Sequence, residues 1–284
     1  MSLDQVDIDT ENIGEDKEMS FFDHVDELRK HLMRAALGIV FFTIVAFVYI
    51  DYIFHKIILG PLQKDFFTYR KLCEWSQAFY HNDQLCVGDF DIKLQNTEMA
   101  GQFMMSFKLA FLLGIIMAMP FILWQIWRFI KPALSNKEMK NTRGFVFYTT
   151  TLFLLGVAFG YFILCPISIN FFARYTLSSL VKNEINIQSI VSFMSVLVLG
   201  TGLIFELPVL MYFLARIGII SSDFLKKYRK YAFIVILIIA AIVTPPDIVS
   251  QIILTIPLYT LFEMGVIITK RVEKQKKQDE QQFT

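Results

Sequence analysis

The chain has 284 residues, 55% of them hydrophobic and only 19% charged, with 29 phenylalanines and a formal net charge of +1. A soluble domain of this size does not carry so much apolar surface, so the composition reads as a polytopic membrane protein whose solvent is the lipid bilayer. Nucleic acid is not among the partners expected.

Residues 1–18 form an acidic, solvated tail to which no function is assigned. Because residues 1–19 lack an apolar core, the first span is expected to serve as the insertion signal in place of a cleavable signal peptide. A helix needs about 20 apolar residues to cross a bilayer. Four long runs meet this need, at 32–50, 103–127, 144–167 and 190–215, and two shorter ones follow at 231–243 and 245–268. The expected fold is therefore all-α, with six membrane-spanning helices, because a backbone in hydrocarbon must satisfy its own hydrogen bonds. Residues 19–270 make up this membrane domain, and 271–284 are a second solvated tail. Pro120, Pro208 and Pro257 lie inside spans and are expected to bend them into a concave wall.

With the N-terminus inside the cell, 19 of the 27 Lys and Arg residues fall on the inner side and seven in outer loops, which orients the chain N-in and C-in. The outer loop between the first two spans, about 52–102, is the only sizeable extramembrane piece and is too small for a separate domain. It carries Cys73 and Cys86, which can form a disulfide in an oxidising compartment; the alternative is two independent thiols. The four histidines have no spacing that argues for a metal site, and no cofactor is expected.

Ser20-Phe-Phe-Asp23 and Ser135-Asn-Lys-Glu138 have the spacing of helix-capping boxes. Thr244-Pro-Pro-Asp247 repeats it with Pro at the first helical position, so the last span is expected to start almost where the fifth ends. Thirteen apolar residues rise only about 20 Å as a helix, against a hydrocarbon core of about 30 Å. Thinning of the bilayer beside the fifth span is the expected consequence.

Within GTGLIFELPVL, residues 200–210, Glu206 stands alone in an apolar run. A charge at mid-membrane costs about 2.5–3.5 kcal/mol even on insertion scales, so such a residue faces a protein interior or a wet cavity and is a functional candidate. Gly200 and Gly202 invite close approach of another helix, Pro208 leaves the Ile204 carbonyl unpaired, and Gln251 is a candidate neighbour. Glu263 is read as either functional or snorkelling, and Asp247 as either a cap or a partner contact. Near the N-terminus, Glu27 pairs with His31 and Asp26 with Lys30 at i,i+4, a spacing that also occurs as ordinary helix-surface pairing.

Five stretches in order resemble the TatC family, the multispanning receptor of the twin-arginine protein translocase. They are Phe22-Asp-His24-Val-Asp26-Glu27-Leu-Arg29-Lys-His-Leu32, Pro61-Leu, Trp127-Arg-Phe129-Ile-Lys-Pro132-Ala-Leu134-Ser-Asn-Lys-Glu138, Phe205-Glu206-Leu-Pro208-Val, and Thr244-Pro-Pro-Asp247 through Glu263. The resemblance implies that Glu27 and Glu138 receive the paired arginines of a signal peptide, with His24, Arg29, Phe129, Pro132 and Leu134 completing the recognition surface. It also implies that Glu206 lies on the concave face and meets a polar residue of a partner or of the signal peptide's path. The implied partners are twin-arginine signal peptides of folded cargo, single-span TatA/TatB-type subunits and further copies of the chain. The implied location is the bacterial cytoplasmic membrane, and the implied drive is the proton-motive force. The chain departs from the pattern after Glu138, where Met139 and Lys140 stand in place of arginines, and in a longer first outer loop.

An ion-coupled small-solute transporter is the competing reading, and it accounts for Glu206 alone, without the internal repeat many such transporters carry. An intramembrane hydrolase lacks its motifs, so no enzymatic activity is expected.

Overall fold

The computed structural model describes residues 21–63, 65–80, 93–130, 142–176, 178, 184–244 and 248–283. Five helical stretches among them are long and apolar enough to cross a membrane: Val25–Val48, Gly101–Ile130, Gly144–Arg174, Ile187–Ile217 and Ile248–Gln278. They correspond to the four long apolar runs and the last short one, but their ends differ by several residues. A helix stops where its terminal carbonyls find other partners, not where hydrophobicity fades. The fourth stretch shows this. Gly218 adopts φ 90° and its N–H bonds the carbonyls of Leu214 and Ala215, while Ile219 bonds Leu214, closing the helix with a left-handed residue that glycine supplies without steric cost.

Helix α1 (Phe21–Val48) is followed by the short α2 (Ile50–Ile53), a π turn at Phe54–Ile58 and a 3₁₀ turn at Gly60–Leu62. Helix α3 (Phe67–Tyr80) and strand β1 (Lys93–Gln95) lead into α4 (Gly101–Ile130). The third span is built from α5 (Thr142–Phe159), a π turn at Gly160–Leu164 and α6 (Cys165–Arg174). Strand β2 (Glu184–Asn186) pairs in parallel with β1, Leu94 opposite Ile185, an addition to the all-helical expectation. Asn186 then caps α7 (Ile187–Phe205), its side chain accepting from the Gln188 N–H at 2.9 Å. Helix α8 (Leu207–Ile217) completes the fourth span, and α9 (Ser222–Lys227), α10 (Arg229–Val243) and α11 (Ile248–Phe283) finish the chain.

The prolines act unequally. Helices α4 and α11 run on through Pro120 and Pro257, whereas the fourth span breaks at Glu206, just before Pro208. Pro166 lacks the N–H that would bond the Phe162 carbonyl, and the Thr68 hydroxyl takes that carbonyl instead. Tyr69 adds its hydroxyl to the carbonyls of Pro166 (2.8 Å) and Pro61 (3.1 Å), and Tyr161 donates to Ile57 at 2.7 Å. The segment after the first span is thereby fastened to the third. Burial of Tyr69 pushes its phenol well above the usual range.

Small residues set the helix contacts. A Cβ on Gly156 would lie 2.7 Å from the Thr201 carbonyl, and one on Gly202 would lie 2.8 Å from the Phe153 ring, so the third span and α7 pack backbone to backbone. Helix α8 packs instead on α11, where Gly265 receives the Met211 side chain. The two halves of the fourth span therefore have different main neighbours, with Glu206 between them. The buried core runs through Leu109, Leu164, Leu197, Phe205, Leu254 and Leu258, and a Ser168–Ser250 hydrogen bond of 3.0 Å lies within it.

One expectation, the solvated tail from residue 271, needs correction. Residues 271–283 continue α11 and have a packing surface: Val272 is buried and the Glu273 carboxylate accepts from the Ser222 N–H (2.9 Å) and hydroxyl (2.5 Å). The Thr244 hydroxyl donates to the Ala240 carbonyl at 2.8 Å at the end of α10, and the rest of its capping box, residues 245–247, lies outside the described residues. The short fifth run lies in α10, 15 residues that bury Ile236 and Ala240 and expose Ile234, Val235, Ile238 and Ile242.

Candidate functional site

Near the start of the first span, Glu27 sits one helical turn before His31, as the i,i+4 spacing requires. Its Oε1 lies 3.3 Å from His31 Nε2 and its Oε2 lies 3.6 Å from Lys30 Nζ. His31 is buried, and its other ring nitrogen, Nδ1, lies 2.6 Å from Oε1 of the buried Gln125 on α4. One turn along α4, Phe129 meets the His31 ring edge-on at 6.4 Å. Glu27 itself stays 40% exposed, so the carboxylate is held from one side and open on the other. Arg29 is exposed on the same helix, and Arg128 stacks over Trp124 at 5.5 Å.

Glu206 presents the opposite situation. It occupies the break between α7 and α8, where its own N–H bonds the Leu203 carbonyl at 3.1 Å and its carbonyl accepts from Val209 and Leu210. Both carboxylate oxygens are buried and have no hydrogen-bond partner among the described residues. Leaving such a group unpaired costs about 1–3 kcal/mol, more if charged. Gln251, the candidate neighbour, is not joined to it; its amide donates to the Leu237 carbonyl at 3.3 Å. Glu263 is engaged by Arg229 through Oε2 at 2.7 Å, an ion pair between α10 and α11, while its Oε1 is buried without a hydrogen-bond partner among the described residues.

The family model described as Sec-independent protein translocase protein (TatC) matches residues 23–257. The chain belongs to the TatC family. Among its TatC relatives, the protein of Blattabacterium sp. subsp. Periplaneta americana (strain BPLAN) is 39% identical over 93% of this chain and 99% of the relative. The TatCy protein of Bacillus subtilis (strain 168) is 34% identical over 89% of each chain. The crystal structure of a twin-arginine translocase receptor, TatC, superposes with a TM-score of 0.67 at 27% identity, covering 88% of this chain and 99% of that one.

The remaining TatC candidates divide by where they fall. Pro61 is buried in its 3₁₀ turn, where its carbonyl accepts from Tyr69, a packing role. Cys73 is disulfide-bonded and Cys165 is a buried free thiol. Cys86, Pro132, Leu134, Glu138, Asp247 and the side chain of His24 lie outside the described residues, as do the capping boxes at Ser20 and Ser135. Two further residues, Gln125 and His31, join Glu27 in this cluster. The signal for Gln125 in the sequence is a lone amide in an apolar run, and that for His31 is its i,i+4 spacing from Glu27.

Proposed function

We propose that this chain is the receptor subunit of a twin-arginine translocase in a bacterial cytoplasmic membrane, six-spanning and N-in/C-in, with α10 as the short fifth span. Glu27 receives an arginine of the signal peptide, and Glu138 takes the second. The observation that carries this reading is the state of Glu27: a half-exposed carboxylate, backed by a buried imidazole and open toward solvent. A guanidinium is permanently charged and offers a planar fork that two carboxylate oxygens can accept, whereas an ammonium is a compact point charge. The reading is one of binding, with no bond made or broken. Glu206 then serves as a docking point for a polar side chain of a single-span partner or of the inserted peptide, and the assembled complex passes folded cargo at the expense of the proton-motive force. The unsatisfied oxygens of Glu206 favour such a visitor, since a buried acceptor without a donor is the feature a partner chain can relieve.

The test is capture of a twin-arginine signal peptide against its twin-lysine version by the purified chain. Wild type is expected to retain the arginine peptide at least tenfold better, and Glu27→Ala and Glu138→Ala are each expected to abolish most of that preference. Equal capture of both peptides by all three proteins would remove the receptor reading.

A further inference from the structure

The Glu27–His31–Gln125 chain does more than join two helices. Both partners of the His31 ring in the structure are oxygens, at 3.3 Å and 2.6 Å. An imidazole satisfies two acceptors only with a hydrogen on each nitrogen; with one hydrogen, the Gln125 amide must turn so that its NH₂ faces Nδ1 and leaves Nε2–H for Glu27. In either arrangement Gln125, which can accept or donate, decides what His31 offers the carboxylate. The ring has little freedom to do otherwise, since it is buried and Phe129 lies edge-on to it.

We propose that His31 is the positioning residue for arginine recognition, holding Oε1 of Glu27 so that the carboxylate plane faces the incoming guanidinium, and that Gln125 on the second span sets this hold. This rests on the reading of Glu27 as the arginine receptor. The hold matters because a competitor is built in. Lys30 lies 3.6 Å from Oε2 and, being on the same helix, is present at all times. A carboxylate released from His31 can rotate about its side-chain bonds to Lys30 and lose the fixed geometry that separates a planar fork from a point charge. Gln125 and Phe129 lie one turn apart on the same helix, so the second span reads the state of Glu27 through two contacts with one ring.

The experiment measures capture of twin-arginine and twin-lysine signal peptides by detergent-purified protein bearing His31→Ala, Gln125→Met or Glu27→Ala, and by the Glu27→Ala/His31→Ala pair. His31→Ala is expected to weaken arginine-peptide capture about tenfold, the usual effect of losing a charge-assisted hydrogen bond, with little change for the lysine peptide. Gln125→Met, which keeps the side-chain volume and leaves Glu27 and His31 in place, should move in the same direction, and it reads the chain of contacts even if His31→Ala fails to assemble. The paired variant should bind no more weakly than Glu27→Ala alone, since a residue that acts only through Glu27 has nothing left to position. Wild-type discrimination in both His31→Ala and Gln125→Met would overturn the proposal, as would additive losses in the pair. Unchanged capture by Glu27→Ala would instead overturn the receptor reading beneath it.

Discussion

Glu206 keeps both carboxylate oxygens away from solvent and away from any donor among the described residues, a condition that a stability-driven sequence would remove. Replacing it with leucine is expected to raise the thermal stability of the isolated chain by about 1–3 kcal/mol, because an unsatisfied polar group is exchanged for an apolar one. The same substitution should reduce co-purification of a single-span partner, and glutamine should retain part of it by keeping an acceptor. A leucine variant that melts earlier than wild type, with partner recovery unchanged, would mean that Glu206 already has its partner within the chain. Glu263 differs in degree: Arg229 bonds its Oε2, while its Oε1 is buried without a hydrogen-bond partner among the described residues.

Where helices meet, the glycines decide. The third span and α7 approach so closely that Gly156 has the Thr201 carbonyl where its Cβ would be, at 2.7 Å. Gly156→Val should therefore cost about 1–3 kcal/mol or more through backbone displacement, measured as a lower melting temperature in detergent. At Gly200 a Cβ would meet Val243 at 3.4 Å, ordinary contact, so Gly200→Ala should be neutral or gain up to about 1 kcal/mol from helix propensity. The sequence showed the long apolar runs, the weight of Glu206 and the small residues at 200 and 202, because hydrophobic length and isolated charges are local signals. It did not show that Gly156 and Gly160 of the third span face Thr201 on α7, nor that Gln125 reaches His31. Both depend on which helix lies opposite, which no single stretch encodes. The charged stretch after residue 270 misled for a related reason: the buried Val272 and the Ser222–Glu273 clasp are too sparse to register as periodicity.

Across the whole molecule, helix α10 differs from the spans around it. Its 15 residues rise about 22 Å, less than the hydrocarbon thickness of about 30 Å, and its exposed face is apolar from Ile234 to Ile242. Spin labels along 231–243 in a reconstituted bilayer should report local thickness reduced by several Å beside this helix, compared with labels on the first span. A uniform full-thickness profile would show that α10 is tilted into the protein edge and does not thin the lipid.

The break at Glu206 falls where the fourth span changes its neighbours. Helix α7 is locked by glycines to the third span, while α8 is seated on α11 at Gly265, and α11 in turn is clasped to the start of α9 by Glu273. The fourth span thus changes neighbours at Glu206, while the Ser168–Ser250 hydrogen bond joins the third span directly to α11. Helix α11, 36 residues and about 54 Å long, is held along its length by Met211 at Gly265, by Ser168 at Ser250 and by Ser222 at Glu273. On the reading of Glu206 as a docking point, a visiting side chain would bond the residue through which α7 and α8, each with its own main neighbour, are joined along the chain.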